Sequence, residues 1–450
     1  MTKHTRRAFI SLLLAAGGAG VLLRRQIFRP PGLRRFPRLN LPRPTPEQLA
    51  WQDMEMGLFI HIGMPTCTGK VGVVGDPRLF DPRALDVDQW LDAAQAMGAK
   101  YAVLVAKHVD GFLCWQTDLY AYGVRQSPWK GGKGDLVADF VDACRRRGIA
   151  PGLYASVADN TFWHVRYPGR VRGAAADSPK QQAYNRMVEA MVRELCSRYG
   201  ELAELWFDGD VLPPQQGGPD LEPILCALQP HAVALQGPTA SIRLSGGETG
   251  TVGYPCWATA RRRGAMGQGH PEGSLWLPVE CDAPLRVHQW FWRPGQEHTL
   301  RSPRELVDMY YRSVGRNGNL LLNASPDRDG RVPEEDMQRY TEFGKEIRRR
   351  FASALAETGG AHPVLEVPAG ERIDHVALME NIATGERIRR YRVEGLLHAD
   401  RWETLCEGTA VGHKRIQRFK ARRVGRVRLR ILDSAGRPGI RRLAVYGVGG

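Results

Sequence analysis

The sequence lacks the usual signs of a metal-binding or disulfide-stabilised protein. Its eight cysteines include no C-x-x-C pair, and no group of Cys and His has the spacing of a zinc site. We therefore predict mostly structural thiols, no metal and no other cofactor. Long apolar runs are also scarce. The run at residues 11–23 is too short for a regular membrane-spanning helix.

The N-terminus has the pattern of an export signal. Arg6 and Arg7 precede the short apolar run, as in twin-arginine signals. No clean A-x-A cleavage site follows, and Arg24 and Arg25 come directly after the run, which leaves open an uncleaved signal that tethers the chain to a membrane. We predict that residues 1–45 are signal and Pro/Arg-rich tether, and that the protein is exported to the periplasm or the extracellular space.

The net charge of +15 is high for a chain with 25% charged and 43% hydrophobic residues. Nucleic acid, an anionic surface and a solvated arginine-rich face are the competing explanations. In residues 426–431 arginine alternates with apolar residues, which is the pattern of a half-buried strand with its polar face in water. This pattern favours the solvated face, and we predict no nucleic-acid partner. The oligomeric state stays open.

Short apolar runs recur from residue 46 to residue 352, and most are followed by a helical pattern. Eight such strands alternating with helices predict an α/β fold, a (β/α)8-type barrel with a parallel sheet. The predicted strands are residues 58–61, 101–108, 152–156, 204–207, 233–236, 242–245, 275–280 and 319–323. Helices are predicted over residues 135–147, 178–199 and 302–314.

After residue 352 the pattern changes. Short alternating segments are separated by Gly, Asp and Ser turns, without helical periodicity between them. Residues 353–450 are therefore predicted to form an antiparallel β-sandwich that packs against the barrel.

Polar residues at the strand ends are the candidates for chemistry, because barrel enzymes carry their active sites there. His61, His108 and Tyr154 offer the hydrogen-bonding groups and aromatic faces of a sugar site, although a packed histidine is an equally good explanation. Asp208 and Glu248 are two carboxyl groups on different strand ends, which suits glycoside cleavage. Taken without further context, Glu248 is better explained as a turn residue between glycines.

Four motifs in combination resemble the glycoside hydrolases of family 29, the α-L-fucosidases. The resemblance covers about residues 51–351. Its motifs are Lys107 to Trp115, Ser127 to Trp129, Leu205 to Gly209 and Ser313 to Pro326. The segments at residues 247–250 and 280–282 are similar to the branch that prefers α-1,3- or α-1,4-linked fucose in branched glycans.

This resemblance implies a retaining exo-α-L-fucosidase acting on a fucosylated oligosaccharide or glycoconjugate, with Asp208 as nucleophile and Glu248 as general acid and base. Glu280 is the rival acid. The implied fucose-binding residues are His61, His108, Tyr154, Trp206, Arg243 and Trp290, with Phe291 as an alternative to Trp290.

Three departures from the family pattern affect which sugar the protein prefers more than which reaction it catalyses. Val109 stands where a second histidine is usual, Ile62 where tryptophan is usual, and Gly247 where asparagine is usual. They leave open a related sugar such as an α-L-galactoside, and the alternative of a catalytically weak or silent glycan-binding relative.

Overall fold

The computed structural model describes residues 40–398 and 401–449, and these form one compact unit. The predicted signal lies outside the described residues, so export and a membrane tether stay predictions. No helix in the described part is long and apolar enough to cross a membrane. All eight cysteines are free thiols, and the described residues contain no group of His, Cys, Asp or Glu that could hold a metal ion.

The barrel predicted from the sequence is confirmed. Eight parallel strands follow one another around the sheet in chain order, and a bridge between Leu235 and Ile242 joins its two edges. In chain order the strands are β1 Met56–Ile60, β2 Tyr101–Lys107, β3 Ala150–Ala155, β4 Glu204–Trp206, β5 Val233–Leu235, β6 Arg243–Leu244, β7 Val279–Pro284 and β8 Gly318–Ala324.

Eight α-helices in the described residues surround or flank this sheet, and sequence signals explain where several of them begin. Asp135, Ser178 and Ser302 each cap the first turn of a helix with their side chains, and Pro179 and Pro303 occupy first-turn positions that need no N–H donor. The helices are α1 Pro46–Met54, α2 Met64–Thr68, α3 Val87–Met97, α4 Leu136–Arg146, α5 Pro179–Arg198, α6 Glu222–Leu228, α7 Pro303–Arg312 and α8 Glu334–Phe351.

Side chains alternate between two cores because successive residues of a strand point to opposite faces. Leu58, Leu104 and Leu205 pack outward against the helices, whereas Phe59, Val103 and Trp206 fill the barrel interior. The opening of the barrel is therefore lined by the inward-facing side chains at the ends of the strands and by the residues that come just after them.

The prediction for the seventh strand was wrong. Leu275–Trp276 pairs antiparallel with Thr259–Ala260 in a separate two-stranded sheet, and the barrel strand is Val279–Pro284. Two buried carboxylates, Glu280 and Asp282, conceal this strand in the sequence because they interrupt its apolar pattern. Glu280 consequently lies near the start of the strand and not at its end.

The barrel departs from a regular alternation after its fifth and sixth strands. Residues 236–242 and 245–278, which are described throughout, contain no α-helix. Loops and the hairpin formed by Thr259–Ala260 and Leu275–Trp276 take the place of these helices. Their absence leaves room for long loops beside the barrel opening on this side.

The C-terminal region forms two four-stranded antiparallel sheets, as predicted. In residues 426–431 the valine and leucine are buried while the arginines are exposed or half-buried, and Arg428 pairs with Glu394. The strands are β9 Ala356–Gly360, β10 Val364–Glu366, β11 Ile373–Glu380, β12 Ile388–His398, β13 Arg401–Gly408, β14 Arg415–Arg422, β15 Arg426–Ser434 and β16 Ile440–Tyr446.

Buried polar contacts join these sheets to the barrel. The carboxylate of Glu386 accepts hydrogen bonds from the backbone N–H of Ala258 (3.0 Å) and from Nδ2 of Asn317 (2.5 Å). The sheets thereby support the base of the loop region that replaces the missing helices.

Candidate active site

A cavity of about 610 Å³ opens at the carboxyl ends of the barrel strands. Asp208 and Glu248 both line it, together with Trp206 and Asp282. A larger cavity of about 960 Å³ lies beside helix α7. There two of the carboxylates are paired with arginines, Asp308 with Arg312 and Glu346 with Arg350, and neither Asp208 nor Glu248 lines it, so the smaller cavity is the better candidate for chemistry.

Asp208 lies two residues beyond strand β4 and is half-buried. The hydroxyl of Tyr154 donates a hydrogen bond of 2.7 Å to its Oδ2. Burial raises the pKa of Asp208, the bonds from Tyr154 and the N–H of Gly209 oppose this rise, and the nearby charge of Glu248 adds to it. Gly209 adopts a φ of 79°, and a Cβ there would lie 2.7 Å from Ala158, so this position requires glycine.

Glu248 is exposed on the loop that follows strand β6. The indole Nε1 of Trp290 donates to its Oε2 over 3.1 Å. Glu248 has a φ of 47°, in the left-handed region that non-glycine residues seldom occupy. Backbone strain of this kind costs about 1–3 kcal/mol and is concentrated at functional sites. The conformation and the indole together direct Glu248 into the cavity.

Two histidines adjoin Tyr154. The His108 ring stacks on Tyr154 at 5.7 Å, and Phe291 packs against His108 at 4.9 Å and against His61 at 5.1 Å. Burial and the charge of Lys107 lower the pKa of His108 to about 3, and burial holds the pKa of His61 well below its ordinary value. Both imidazoles are therefore neutral at neutral pH and can bind hydroxyl groups without carrying charge.

The contacts of Asn323 define the tautomer of His61. The Oδ1 of Asn323 accepts a hydrogen bond of 2.6 Å from Nδ1 of His61, and its Nδ2 donates to the carbonyl of Trp290 over 2.8 Å. The Nε2 atom of His61 is therefore a hydrogen-bond acceptor. Asn323 thus holds both His61 and the tryptophan that contacts Glu248.

Arg243 is directed away from this group. Its Nε donates to the carbonyl of Gly267 (3.0 Å) and its Nη2 to the carbonyl of Trp257 (2.6 Å). On the same strand, Leu244 lines the cavity and Arg243 does not, because neighbouring strand residues face opposite sides. The contacts of Arg243 support the loop around residues 257–267.

Glu280 lies beneath the cavity, fully buried within the barrel. Tyr101 donates to its Oε1 over 2.6 Å, and Trp51 donates to Oε2 of Glu204 over 2.9 Å. Burial raises the pKa of both carboxyl groups, and the charge of Glu204 raises that of Glu280 further. Glu280 therefore belongs to a polar layer inside the barrel and does not line the cavity.

We expect the Glu204 and Glu280 pair to make unfolding depend on pH. A carboxyl group whose pKa is raised by folding stabilises the folded state at low pH, and this contribution is lost as pH rises through the folded-state value. Each proton involved changes the free energy of unfolding by at most about 1.4 kcal/mol per pH unit. Glu280→Gln removes one of the two carboxyl groups whose pKa is raised and should reduce the decline in Tm between pH 5 and pH 9.

Thermal unfolding measured across that range tests the expectation. The exposed Glu201 provides the control, since Glu201→Gln should leave the decline unchanged. Equal pH dependence in wild type and Glu280→Gln would contradict a raised pKa of Glu280 in the folded protein.

Asp282 is a site residue that sequence reasoning missed. It is 4% exposed and lines the cavity, and burial with the charges of Glu248 and Asp208 raises its pKa to about 7. In the sequence it resembles a structural neighbour of Glu280. The period of two along a strand was the available signal, because it places Asp282 on the inward face, one step nearer the opening.

A single cavity thus holds Asp208 and Glu248 on separate loops, a tryptophan face and two further carboxyl groups, those of the buried Asp282 and the exposed Asp210. This arrangement can supply an attacking carboxylate and a proton donor to one glycosidic bond. The adjoining neutral histidines add hydrogen-bonding groups for hydroxyls.

Comparison with known proteins gives the family to which this chain is similar. Residues 76–350 match the family model "Alpha-L-fucosidase". Alpha-L-fucosidase 1 of Arabidopsis thaliana is 31% identical over 86% of this chain and 84% of its own length. A relative from Oryza sativa is 34% identical over 84% of this chain and 80% of its own length.

Solved structures agree in fold as well. The structure of a Bacteroides thetaiotaomicron relative has a TM-score of 0.86 and 38% identity, covering 91% of this chain and 100% of that one. A glycoside hydrolase 29 family member from a rumen bacterium has a TM-score of 0.79 and 30% identity, covering 91% of this chain and 78% of that one. The chain belongs to the α-L-fucosidases of glycoside hydrolase family 29, as its motifs predict.

Proposed function

We propose that the protein is a retaining exo-α-L-fucosidase that hydrolyses terminal α-1,3- or α-1,4-linked fucose in glycans. The observation that carries the proposal is that Asp208 and Glu248 line one cavity, close enough for the charge of Glu248 to raise the pKa of Asp208. The linkage preference rests on the motifs at residues 247–250 and 280–282.

In the first step the carboxylate of Asp208 attacks C1 of fucose while protonated Glu248 gives its proton to the departing glycosidic oxygen. The bond from C1 to that oxygen breaks as the bond from C1 to Asp208 forms. In the second step the Glu248 carboxylate takes a proton from water, and the water oxygen displaces Asp208 from C1. The two inversions return the sugar in its original α configuration.

The remaining residues position these two carboxyl groups or bind the sugar. Tyr154 stabilises the charged form of Asp208, and Trp290 holds the carboxyl of Glu248. Trp206 presents an apolar face suited to the C–H surface and methyl group of fucose. His61 and His108, as neutral imidazoles, bind hydroxyls once the cavity admits the sugar.

Proton NMR during hydrolysis of an aryl α-L-fucoside tests the mechanism. The first sugar released should be the α anomer, with the β anomer growing only by later mutarotation. Initial release of the β anomer would show an inverting enzyme. Parallel rates on 2'-fucosyllactose, Lewis-type trisaccharides and an aryl α-L-galactoside test the linkage and the sugar, with the Lewis-type compounds expected to be fastest among the glycans.

Tyr154→Phe should shift the acid limb of the kcat/KM pH profile to higher pH. The lost hydroxyl stabilised the carboxylate form of Asp208, so its removal raises the pKa of Asp208 further. A hydrogen bond to a charged group contributes about 1.5–3 kcal/mol, which corresponds to a shift of about one to two pH units.

Tyr199→Phe is the matched control, since Tyr199 donates to Asp135 over 3.0 Å outside the cavity. An unchanged acid limb in Tyr154→Phe, or an equal shift in Tyr199→Phe, would contradict the role of Tyr154 in stabilising the carboxylate form of Asp208.

A further inference from the structure

The outer rim of the cavity combines apolar and cationic side chains. Tyr167, Arg262, Arg263 and Met266 all line the cavity that holds Asp208 and Glu248. Tyr167 is 67% exposed and Met266 is 59% exposed, which is unusual for large apolar residues. Exposed apolar faces beside a sugar site suit the C–H surfaces of further sugar rings.

This rim lies on the side of the leaving group. A Cβ built on Gly246 would lie 3.4 Å from Cβ of Met266, and the N–H of Gly267 donates to the carbonyl of Leu244 over 2.9 Å. The rim segment, residues 262–267, therefore packs directly against the loop that carries Glu248. A general acid contacts the glycosidic oxygen, so the sugar that departs must lie next to Glu248 and the rim segment.

The two rim arginines have charge available for a ligand. Arg262 makes no hydrogen bond or ion pair with residues 40–398 or 401–449, and Arg263 donates only to the carbonyl of Ala240 over 2.6 Å within the same part of the chain. Asp210 also lines the cavity. Its Oδ1 accepts hydrogen bonds from the backbone N–H groups of Val211 and Gly237, both at 2.8 Å, and not from the two arginines.

The preceding arginine has different contacts. Arg261 contacts Nε2 of His270 at 2.9 Å and Oε2 of Glu272 at 3.4 Å, and it does not line the cavity. Two of three consecutive arginines thus face the cavity, while the third pairs with a carboxylate outside it.

We infer that the rim segment forms a leaving-group subsite for an anionic glycan, in which Arg262 and Arg263 bind a carboxylate or a sulfate ester. A guanidinium presents a planar pair of N–H donors that matches two oxygens of either group. The inference rests on the proposed function, because it places the leaving group beside Glu248 as the general acid. Fucosylated glycans that also bear an acidic group are the substrate class it names.

Rates on three matched substrates test the subsite. We expect kcat/KM on a sialylated and on a sulfated Lewis-type glycan to exceed that on the neutral trisaccharide by about three- to tenfold at low ionic strength, the range expected for partly exposed ion pairs. The advantage should diminish with added salt, which screens exposed charges. The sialylated and sulfated substrates separate a carboxylate preference from a sulfate preference.

Variants assign the effect to the rim. Arg262→Ala and Arg263→Ala should reduce the ratio of anionic to neutral kcat/KM toward one, whereas Arg261→Ala should keep the wild-type ratio. Calorimetric titration of Asp208→Asn with the same three glycans gives dissociation constants that do not require turnover. A failure of catalysis would then contradict the proposed function while binding still tests the subsite.

Equal affinity and equal kcat/KM for anionic and neutral glycans would overturn the inference. So would a loss of the anionic advantage in Arg261→Ala as large as in Arg262→Ala, since that would indicate a general effect of charge. Loss confined to Arg262→Ala and Arg263→Ala would support it.

Discussion

Asp208→Gly is expected to lower kcat on an aryl α-L-fucoside by at least about a thousandfold, because in the proposed mechanism it removes the atom that bonds to C1 in the first step. The loss should greatly exceed the loss for Tyr154→Phe, which retains Asp208. Asp208 is half-buried and is held by Tyr154 and Gly209, so a change in stability must be separated from a change in chemistry.

Azide provides that separation. Glycine leaves space for a small anion, which can attack C1 in place of the carboxylate and give a fucosyl azide of inverted configuration. Rescue of the rate with this product identifies Asp208 as the nucleophile. Glu201→Gly, at an exposed glutamate shortly before the same strand, should keep wild-type activity without azide. Asp208→Gly protein that is folded and active without azide would contradict the assignment.

Glu248→Ala is expected to have an effect that depends on the leaving group. General acid catalysis contributes about a hundredfold to ten-thousandfold, and the need for a proton is greatest when the departing oxygen is a poor leaving group. We therefore expect a loss in this range on a Lewis-type trisaccharide and a much smaller loss of the first step on an aryl fucoside with an acidic phenol. Steady-state and single-turnover rates on both substrates measure the difference.

An equal loss on both substrates would contradict a role in protonating the leaving group. Glu371→Ala provides a control at an exposed glutamate of the C-terminal region and should leave both rates unchanged. Glu280→Ala is informative in another way. Since Glu280 is buried with Tyr101 and Glu204, its replacement should lower stability without producing any dependence on the leaving group.

The barrel could be predicted because the local sequence pattern indicates most of its strands. Tyr101–Lys107 and Gly318–Ala324 are buried along their whole length. The first appears in the sequence as an apolar run up to its final lysine, and the second as three consecutive leucines between two asparagines. Val279–Pro284 is equally buried but carries two carboxylates, so its environment depends on partners such as Tyr101 that are distant in sequence. No local pattern reports such a partner.

The surroundings of the cavity were predictable in part for the same reason. Residues within two positions of a strand end, such as His61 and Asp208, are placed by the fold itself. Arg243 lies within a two-residue strand, and which face it occupies depends on the register of that strand against Val279–Pro284. Tyr167, Arg262 and Arg263 come from loops, whose course is set by contacts such as the bond from Arg263 to Ala240. These residues required the structure.

The central claim is that Asp208 bonds covalently to the sugar, and trapping that intermediate tests it most directly. A 2-deoxy-2-fluoro-α-L-fucosyl donor with a good leaving group should form a fucosyl enzyme that hydrolyses slowly. Mass spectrometry of the digested protein should then find one added fluorofucosyl group, on the peptide that contains Asp208, and none on Asp208→Gly. A label on another carboxylate such as Asp282, or stoichiometric inactivation with Asp208 unmodified, would contradict the account.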